Sequence, residues 1–263
     1  MSRLDGIFAR LRSDGRTGLV TFTTAGDPDL KRSAEILESL DRAGADVLEV
    51  GVPFSDPLAD GPIIQRASER ALAAGSTLAV TLDLVAEVRN SISAGIVLFT
   101  YANPVLRMGL HPFMKRAATA GIDGVLVLDL PIEEAESLRT VAADAGIDTI
   151  FLLSPTTTKG RIRRAAALGS GFLYGISRLG VTGVQENIDV GAREMIQRIR
   201  NITELPIALG FGISKPEHVV EAGQWADAVV VGSALVNMIS QTADEVLGSE
   251  VKRYIQWLKS GLN

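Results

Sequence analysis

No cysteine occurs in the 263 residues, which excludes disulfides, thiol nucleophiles and thiolate metal sites together. Histidine is almost missing as well. His111 and His218 are the only two, too few for a multi-histidine metal centre. Neither Ser55 nor Ser154 has a histidine in a triad-like context, so nucleophilic hydrolysis is not expected. There is no basic run: the densest cluster is Arg161, Arg163 and Arg164, and 31 acids against 26 bases give a formal charge of −5. That balance argues against a nucleic-acid partner while leaving room for a local anion site. Long apolar runs are absent too. Stretches such as Ile96 to Phe99 and Val125 to Leu128 fall far short of the ~20 residues that span a bilayer. The opening Ser2-Arg3-Leu4-Asp5-Gly6 lacks the apolar core of a signal peptide. A cytoplasmic protein without a membrane partner is the expectation.

What is present is alternation. Short β-branched runs recur at Leu19–Thr24, Asp46–Val52, Gly95–Tyr101, Gly124–Leu128, Thr149–Leu153, Gly171–Ile176, Pro206–Leu209 and Ala226–Val231. Their spacing is close to the ~30 residues of a βαβ unit. Between them lie helical patterns such as Leu30, Ala34, Leu37, Leu40 and Ala43, one apolar stripe on a helix. A repeated punctuation, Ala43-Gly44-Ala45-Asp46, Ala120-Gly121-Ile122-Asp123 and Ala145-Gly146-Ile147-Asp148, ends three of these helices just before a strand. Glycine can adopt the left-handed conformation that stops a helix there. Eight strand–helix repeats predict an α/β fold, a (β/α)₈ TIM barrel, with an open doubly wound sheet as the alternative. An additional helix is expected at Arg3–Arg12 and a closing one at Ala243–Lys259. No linker or composition shift divides the chain, so residues 1–263 read as one domain.

In such barrels the chemistry sits on loops at the carboxyl ends of the strands. The second loop, Gly51 to Pro62, holds three prolines and two acids, with Glu49 just upstream inside its strand. Period-two alternation puts Glu49 on the face opposite Leu48 and Val50. On an interior face its carboxyl would be desolvated and its pKa raised, as a general acid requires; a structural ion pair at a strand end is the other reading. Asp60 reads equally as a catalytic carboxylate or as a cap for the helix opening at Pro62. The sixth loop, Ser177 to about Asp189, is long and carries two glycines, which suits a lid or a merely flexible connection. Gly210-Phe211-Gly212-Ile213 after the seventh run and Val231-Gly232-Ser233-Ala234 after the eighth form a pair of glycine turns. They suit a phosphate cradle, or else tight turns without a ligand. Phe22, Phe99, Tyr101, Tyr174 and Phe211 fall near strand ends, where aromatics usually belong to the core, yet their shared edge suggests a flat aromatic ligand. Asp129 precedes Pro131 at the end of the fourth run and serves either the site or only its turn.

Six stretches, in order along nearly the whole chain, resemble the tryptophan synthase α-subunit family. They are Phe22-Thr23-Thr24-Ala25-Gly26-Asp27-Pro28, Glu49 through Pro62, Tyr101-Ala102-Asn103-Pro104, Gly180-Val181-Thr182-Gly183, Gly210 through Ile213 and Val231 through Ala234. The resemblance implies a barrel that cleaves indole-3-glycerol phosphate to indole and glyceraldehyde 3-phosphate. It implies Glu49 as general acid/base and Asp60 as its partner at the indole nitrogen. Phe22, Phe99, Tyr174 and Phe211 would line the indole pocket, and Thr182 on the lid would contact Asp60. Gly183, Gly212, Gly232 and Ser233 would hold the phosphate. It further implies no metal and no cofactor in this chain. The partner would be a pyridoxal-phosphate β subunit in an α₂β₂ tetramer, docked through Pro53, Asp56, Pro57, Asp129 and Pro131. A standalone lyase, or another phosphosugar barrel, is the alternative. The residues fit the chemistry on their own account. A retro-aldol cleavage needs an electron sink, and the six lysines that could form an imine fall in helical segments. No metal-ligand set is evident. An indole ring protonated at C3 is itself such a sink, given a placed acid and a carboxylate near the ring nitrogen.

Overall fold

The computed structural model describes residues 1–176, 190–210 and 212–262. Among these residues, nine parallel strands form one sheet: β1 (Gly18–Thr24), β2 (Val47–Gly51), β3 (Gly95–Thr100), β4 (Gly124–Val127), β5 (Asp148–Thr149), β6 (Phe151–Leu153), β7 (Leu173–Ile176), β8 (Ile207–Gly210) and β9 (Ala228–Val231). Their order is β5-β4-β3-β2-β1-β9-β8-β7-β6. The two ends of that order, β5 and β6, are consecutive in the chain. They are the two halves of the fifth expected strand, which begins at Asp148 rather than Thr149 and breaks at Ile150. The first half pairs with β4 and the second with β7, so the strand changes partner across that residue and closes the barrel. The sixth expected strand, by contrast, starts later than its pattern, at Leu173, because Gly171 has φ +70°.

Among the described residues, twelve α-helices surround or cap the barrel: α1 (Arg3–Ser13), α2 (Leu30–Arg42), α3 (Pro62–Ala73), α4 (Leu78–Val88), α5 (Ala102–Met108), α6 (Leu110–Ala120), α7 (Glu136–Asp144), α8 (Lys159–Leu168), α9 (Val190–Arg200), α10 (Pro216–Gly223), α11 (Ser233–Gln241) and α12 (Leu247–Lys259). The expected closing helix is shorter than its pattern. Asp244–Val246 form a 3₁₀ turn, and α12 proper starts at Leu247.

Alternation along each strand divides the core in two. Leu19, Leu48, Val50, Ile96, Leu98 and Val125 face outward against the helices. Val20, Val47, Val97, Leu126, Ile150, Phe172, Ala208 and Val230 fill the barrel interior together with Leu4, Ile7, Phe8 and Leu11 of α1. Helix α1 therefore plugs the amino end. Ser2 and Asp5 cap it reciprocally, at 3.1 and 2.8 Å. A Cβ on Gly95 or Gly124 would come within 2.6 or 3.0 Å of Leu4, so these two glycines make room for the plug.

The same end carries a repeated polar device. Asp46, Asp123 and Asp227 each precede a strand and accept the N–H of a residue on the neighbouring strand: Leu19 at 2.8 Å, Ile96 at 2.8 Å and Ile207 at 2.7 Å. Each also takes an arginine: Arg16 on Asp46, Arg3 and Arg89 on Asp123, and Arg200 on Asp227. The glycines of the three punctuation motifs do adopt the left-handed region, with φ of 91°, 83° and 72° at Gly44, Gly121 and Gly146.

Candidate active site

Glu49 lies in the middle of β2, paired in register with Phe22 on one side and Val97 on the other. It shares its face with Val47, hence points into the barrel. It is fully buried, and neither carboxylate oxygen has a hydrogen-bond partner among the described residues. Without partners or countercharge, burial alone pushes its pKa up to about 8. The ion-pair reading of Glu49 is thereby set aside. At neutral pH this carboxyl carries its proton.

Asp60 ends the loop that follows β2. It does not cap α3: the N-cap is Gly61, no side chain bonds the first turn, and Pro62 occupies the first helical position. Its Oδ2 accepts instead from the Tyr101 hydroxyl at 2.9 Å. Burial raises the Asp60 pKa to about 6, opposed by that hydrogen bond. Two carboxyl groups on one strand and its loop thus hold different protonation states near neutrality, one neutral and one charged. Such a split separates an acid from an anionic stabiliser.

Aromatic rings gather around them. Phe22 and Phe99 meet edge to face at 5.2 Å. The approach of Phe22 requires glycine at position 51, where a Cβ would sit 2.6 Å from Cζ. Tyr174 is buried, and its hydroxyl requires Gly210, whose Cβ would lie 2.5 Å away. Burial first, and the Glu49 charge second, hold the Tyr174 hydroxyl well above its ordinary pKa.

Gly232 is the N-cap of α11 and Ser233 its first residue, with no side chain bonding the helix start. The N–H groups of that first turn have no partner within the helix, which suits an anion. The nearest atom to a Cβ at Gly232 would be Phe22 Cβ at 3.7 Å, so this helix start adjoins the aromatic pocket. Gly212 has φ +82°, a conformation that favours glycine. Phe211, Thr182 and Gly183 lie outside the described residues.

Of the residues expected to face a partner, Asp56 is exposed and accepts from Ser55 Oγ at 2.6 Å, while Pro57 is half-buried. Pro53 is buried beneath the loop, where it shapes the backbone rather than offering a surface. Asp129 and Pro131 are exposed, and Asp129 Oδ1 accepts from Ala102 N at 2.7 Å, bridging the ends of β4 and β3. Sequence reasoning did not reach the tip of the loop, Leu58, which is 94% exposed. It also took Tyr101 only as a strand-end aromatic. Its hydroxyl is the contact that matters, and the partner lies 41 residues away. The six lysines lie on α2, α6, α8 and α12 or, for Lys215, at the start of α10.

Residues 8–260 match the model of the family described as tryptophan synthase alpha chain. The alpha chain of Solibacter usitatus is 47% identical over 262 residues, covering 99% of this chain and 98% of the relative. That of Geobacter sulfurreducens is 46% identical, covering 100% and 99%. Among solved structures, a chain of Mycobacterium tuberculosis tryptophan synthase superposes with a TM-score of 0.92 at 33% identity, covering 99% of this chain and 98% of that one. The alpha subunit from Legionella pneumophila gives 0.89 at 31% identity, covering 100% and 98%. Near half-identity over the full length, joined to a common barrel, settles the assignment: the chain belongs to the tryptophan synthase alpha chain family, whose reaction is the cleavage of indole-3-glycerol phosphate.

Proposed function

We propose that Glu49 and Asp60 carry this retro-aldol reaction as acid and anionic stabiliser. The observation that supports the assignment is the buried carboxyl of Glu49, which has no hydrogen-bond partner among the described residues and lies on the inner face of the barrel beside Phe22. Its proton goes to indole C3, leaving the ring as an iminium-like cation whose N–H charge Asp60 offsets. The bond from C3 to the glycerol carbon then breaks, and its electron pair restores the aromatic ring. The hydroxyl on the departing carbon gives its proton to the Glu49 carboxylate and becomes the aldehyde, so Glu49 ends as it began. Phe22, Phe99 and Tyr174 sandwich the ring, with Phe211 assigned there by resemblance. The phosphate rests on the start of α11 at Gly232 and Ser233 and on Gly212. Gly183 and the Thr182 contact to Asp60 rest on resemblance alone.

The alpha chain family has no cofactor of its own. The partner in our reading is a β chain holding pyridoxal phosphate, which consumes the indole, in an α₂β₂ assembly seated on Asp56, Pro57, Asp129 and Pro131. The whole of 1–263 acts as one domain in the cytoplasm. The comparisons lend no support to a different phosphosugar barrel. General acid–base help is typically worth about 10²–10⁴-fold. Glu49→Gln should therefore lower indole release from indole-3-glycerol phosphate by at least ~100-fold, read by an indole assay with and without a matched β chain. Retention of the parental rate would overturn the assignment.

A further inference from the structure

Tyr101 follows β3 directly, and its ring stacks on Phe54 at 5.0 Å, within the loop that carries Asp60. Its hydroxyl makes two contacts. The backbone N–H of Ala59 points at it from 3.2 Å, and Asp60 Oδ2 lies at 2.9 Å. A backbone N–H can only donate, so the hydroxyl accepts there and its single proton is directed at Asp60. That donation favours the ionised form of the Asp60 carboxyl. Among the described residues Asp60 Oδ1 carries no hydrogen bond, which leaves it open to a donor from the substrate.

We infer that Tyr101 is a positioning residue for the cleavage reaction: its hydroxyl fixes the Asp60 carboxylate in one orientation with Oδ1 presented to the ring N–H. The inference rests on the role proposed above for Asp60. The loop is held from both sides of this hydroxyl, at residue 59 and at residue 60, while the ring anchors it through Phe54. Burial and the neighbouring charges of Asp60 and Asp129 keep the Tyr101 hydroxyl protonated across the working range.

Tyr101→Phe keeps the stacked ring and removes one oxygen. Hydrogen bonds to charged groups are worth enough to predict a fall in kcat of about 10–100-fold, with KM for indole-3-glycerol phosphate within about twofold. The acid limb of the kcat/KM–pH profile should move upward, because the bond removed favours the carboxylate. On an Asp60→Asn background the same change should cost less than about twofold, since the two residues act as one unit. Carbon-13 NMR titration of labelled aspartate gives a readout independent of turnover: the Asp60 midpoint, identified by its loss in Asp60→Asn, should rise by up to about one unit in Tyr101→Phe. An unmoved midpoint, or additive losses in the double variant, would overturn the inference. Failure of the parent chain to release indole would instead overturn the proposed reaction, leaving the NMR result to decide the Tyr101–Asp60 coupling.

Discussion

A carboxyl group buried without a hydrogen-bond partner favours its neutral form, and among the described residues Glu49 has none. Two consequences follow from its pKa of about 8 and that of Asp60, about 6. The proposed mechanism requires Glu49 protonated and Asp60 ionised. The rate should fall as pH drops through about 6 and again as it rises through about 8, giving a bell in kcat/KM whose limbs are the two groups. Glu49→Asp or Asp60→Asn should each remove or displace one limb; a flat profile between pH 5 and 9 would refute the pairing. Stability shows the same linkage with its own sign. The folded pKa of Glu49 lies above its ordinary value of 4.5, so its burial is tolerated below that value and destabilises increasingly as pH rises toward about 8. Glu49→Gln cannot ionise. Its unfolding free energy should match the parent's near pH 4.5 and exceed it near pH 8 by something on the order of 3 kcal/mol, measured by denaturant unfolding at both pH values. Equal stability at pH 8 would mean that the carboxylate finds solvation that its surroundings do not display.

At the scale of elements, the aspartates at the amino end do more than begin strands. Asp123 accepts the Ile96 N–H and both Arg3 and Arg89, and the side chains of Asp123 and Arg89 are only 13% and 12% exposed. Truncating it would strand a strand-initiating N–H and a largely buried guanidinium. Breaking a buried pair by removing one partner typically costs about 3–5 kcal/mol. Asp123→Ala should lower the melting temperature by roughly 6–15 °C for a chain of this size, checked by calorimetry or circular dichroism. A shift under about 2 °C would show that water replaces the aspartate. The Ala-Gly-Ile-Asp motif made the helix stop and the strand start legible, because both are local backbone matters. The cross-strand duty of its aspartate was not legible, since Ile96 lies 27 residues earlier and meets Asp123 only after pairing. The break at Ile150 escaped for the same reason: a run of β-branched residues does not reveal that its two halves take different neighbours. In the site, alternation set Glu49 opposite Leu48 and Val50, and only the closed barrel shows that this face is the interior. The choice between cap and catalyst for Asp60 needed Tyr101, and that contact is tertiary.

Over the whole molecule, the two ends of the barrel divide the labour. Helix α1 and the arginine–aspartate pairs close the amino end, while segments that follow β2 and β3 at the carboxyl end leave apolar groups in water. Leu58, in the loop after β2, is 94% exposed, and Leu106 on α5, after the adjacent β3, is 69% exposed. Leu58 belongs to the loop that holds the exposed Asp56, and the helix carrying Leu106 opens at Ala102, whose N–H donates to the exposed Asp129. An enzyme that releases an apolar product such as indole gains from a partner seated over that end, and exposed leucines are the groups a partner would cover. Burying a leucine side chain is worth about 1.5–3 kcal/mol, or roughly 10–100-fold in affinity. Titration of a matched β chain into Leu58→Ser or Leu106→Ser, followed by stimulation of indole turnover, should therefore show half-saturation at β-chain concentrations about tenfold or more above the parent. The two effects should combine in the double variant, because each leucine is covered separately. Half-saturation that stays at the parental concentration in both variants would move the docking face away from these segments, and with it the route by which partner binding reaches the loop holding Asp60.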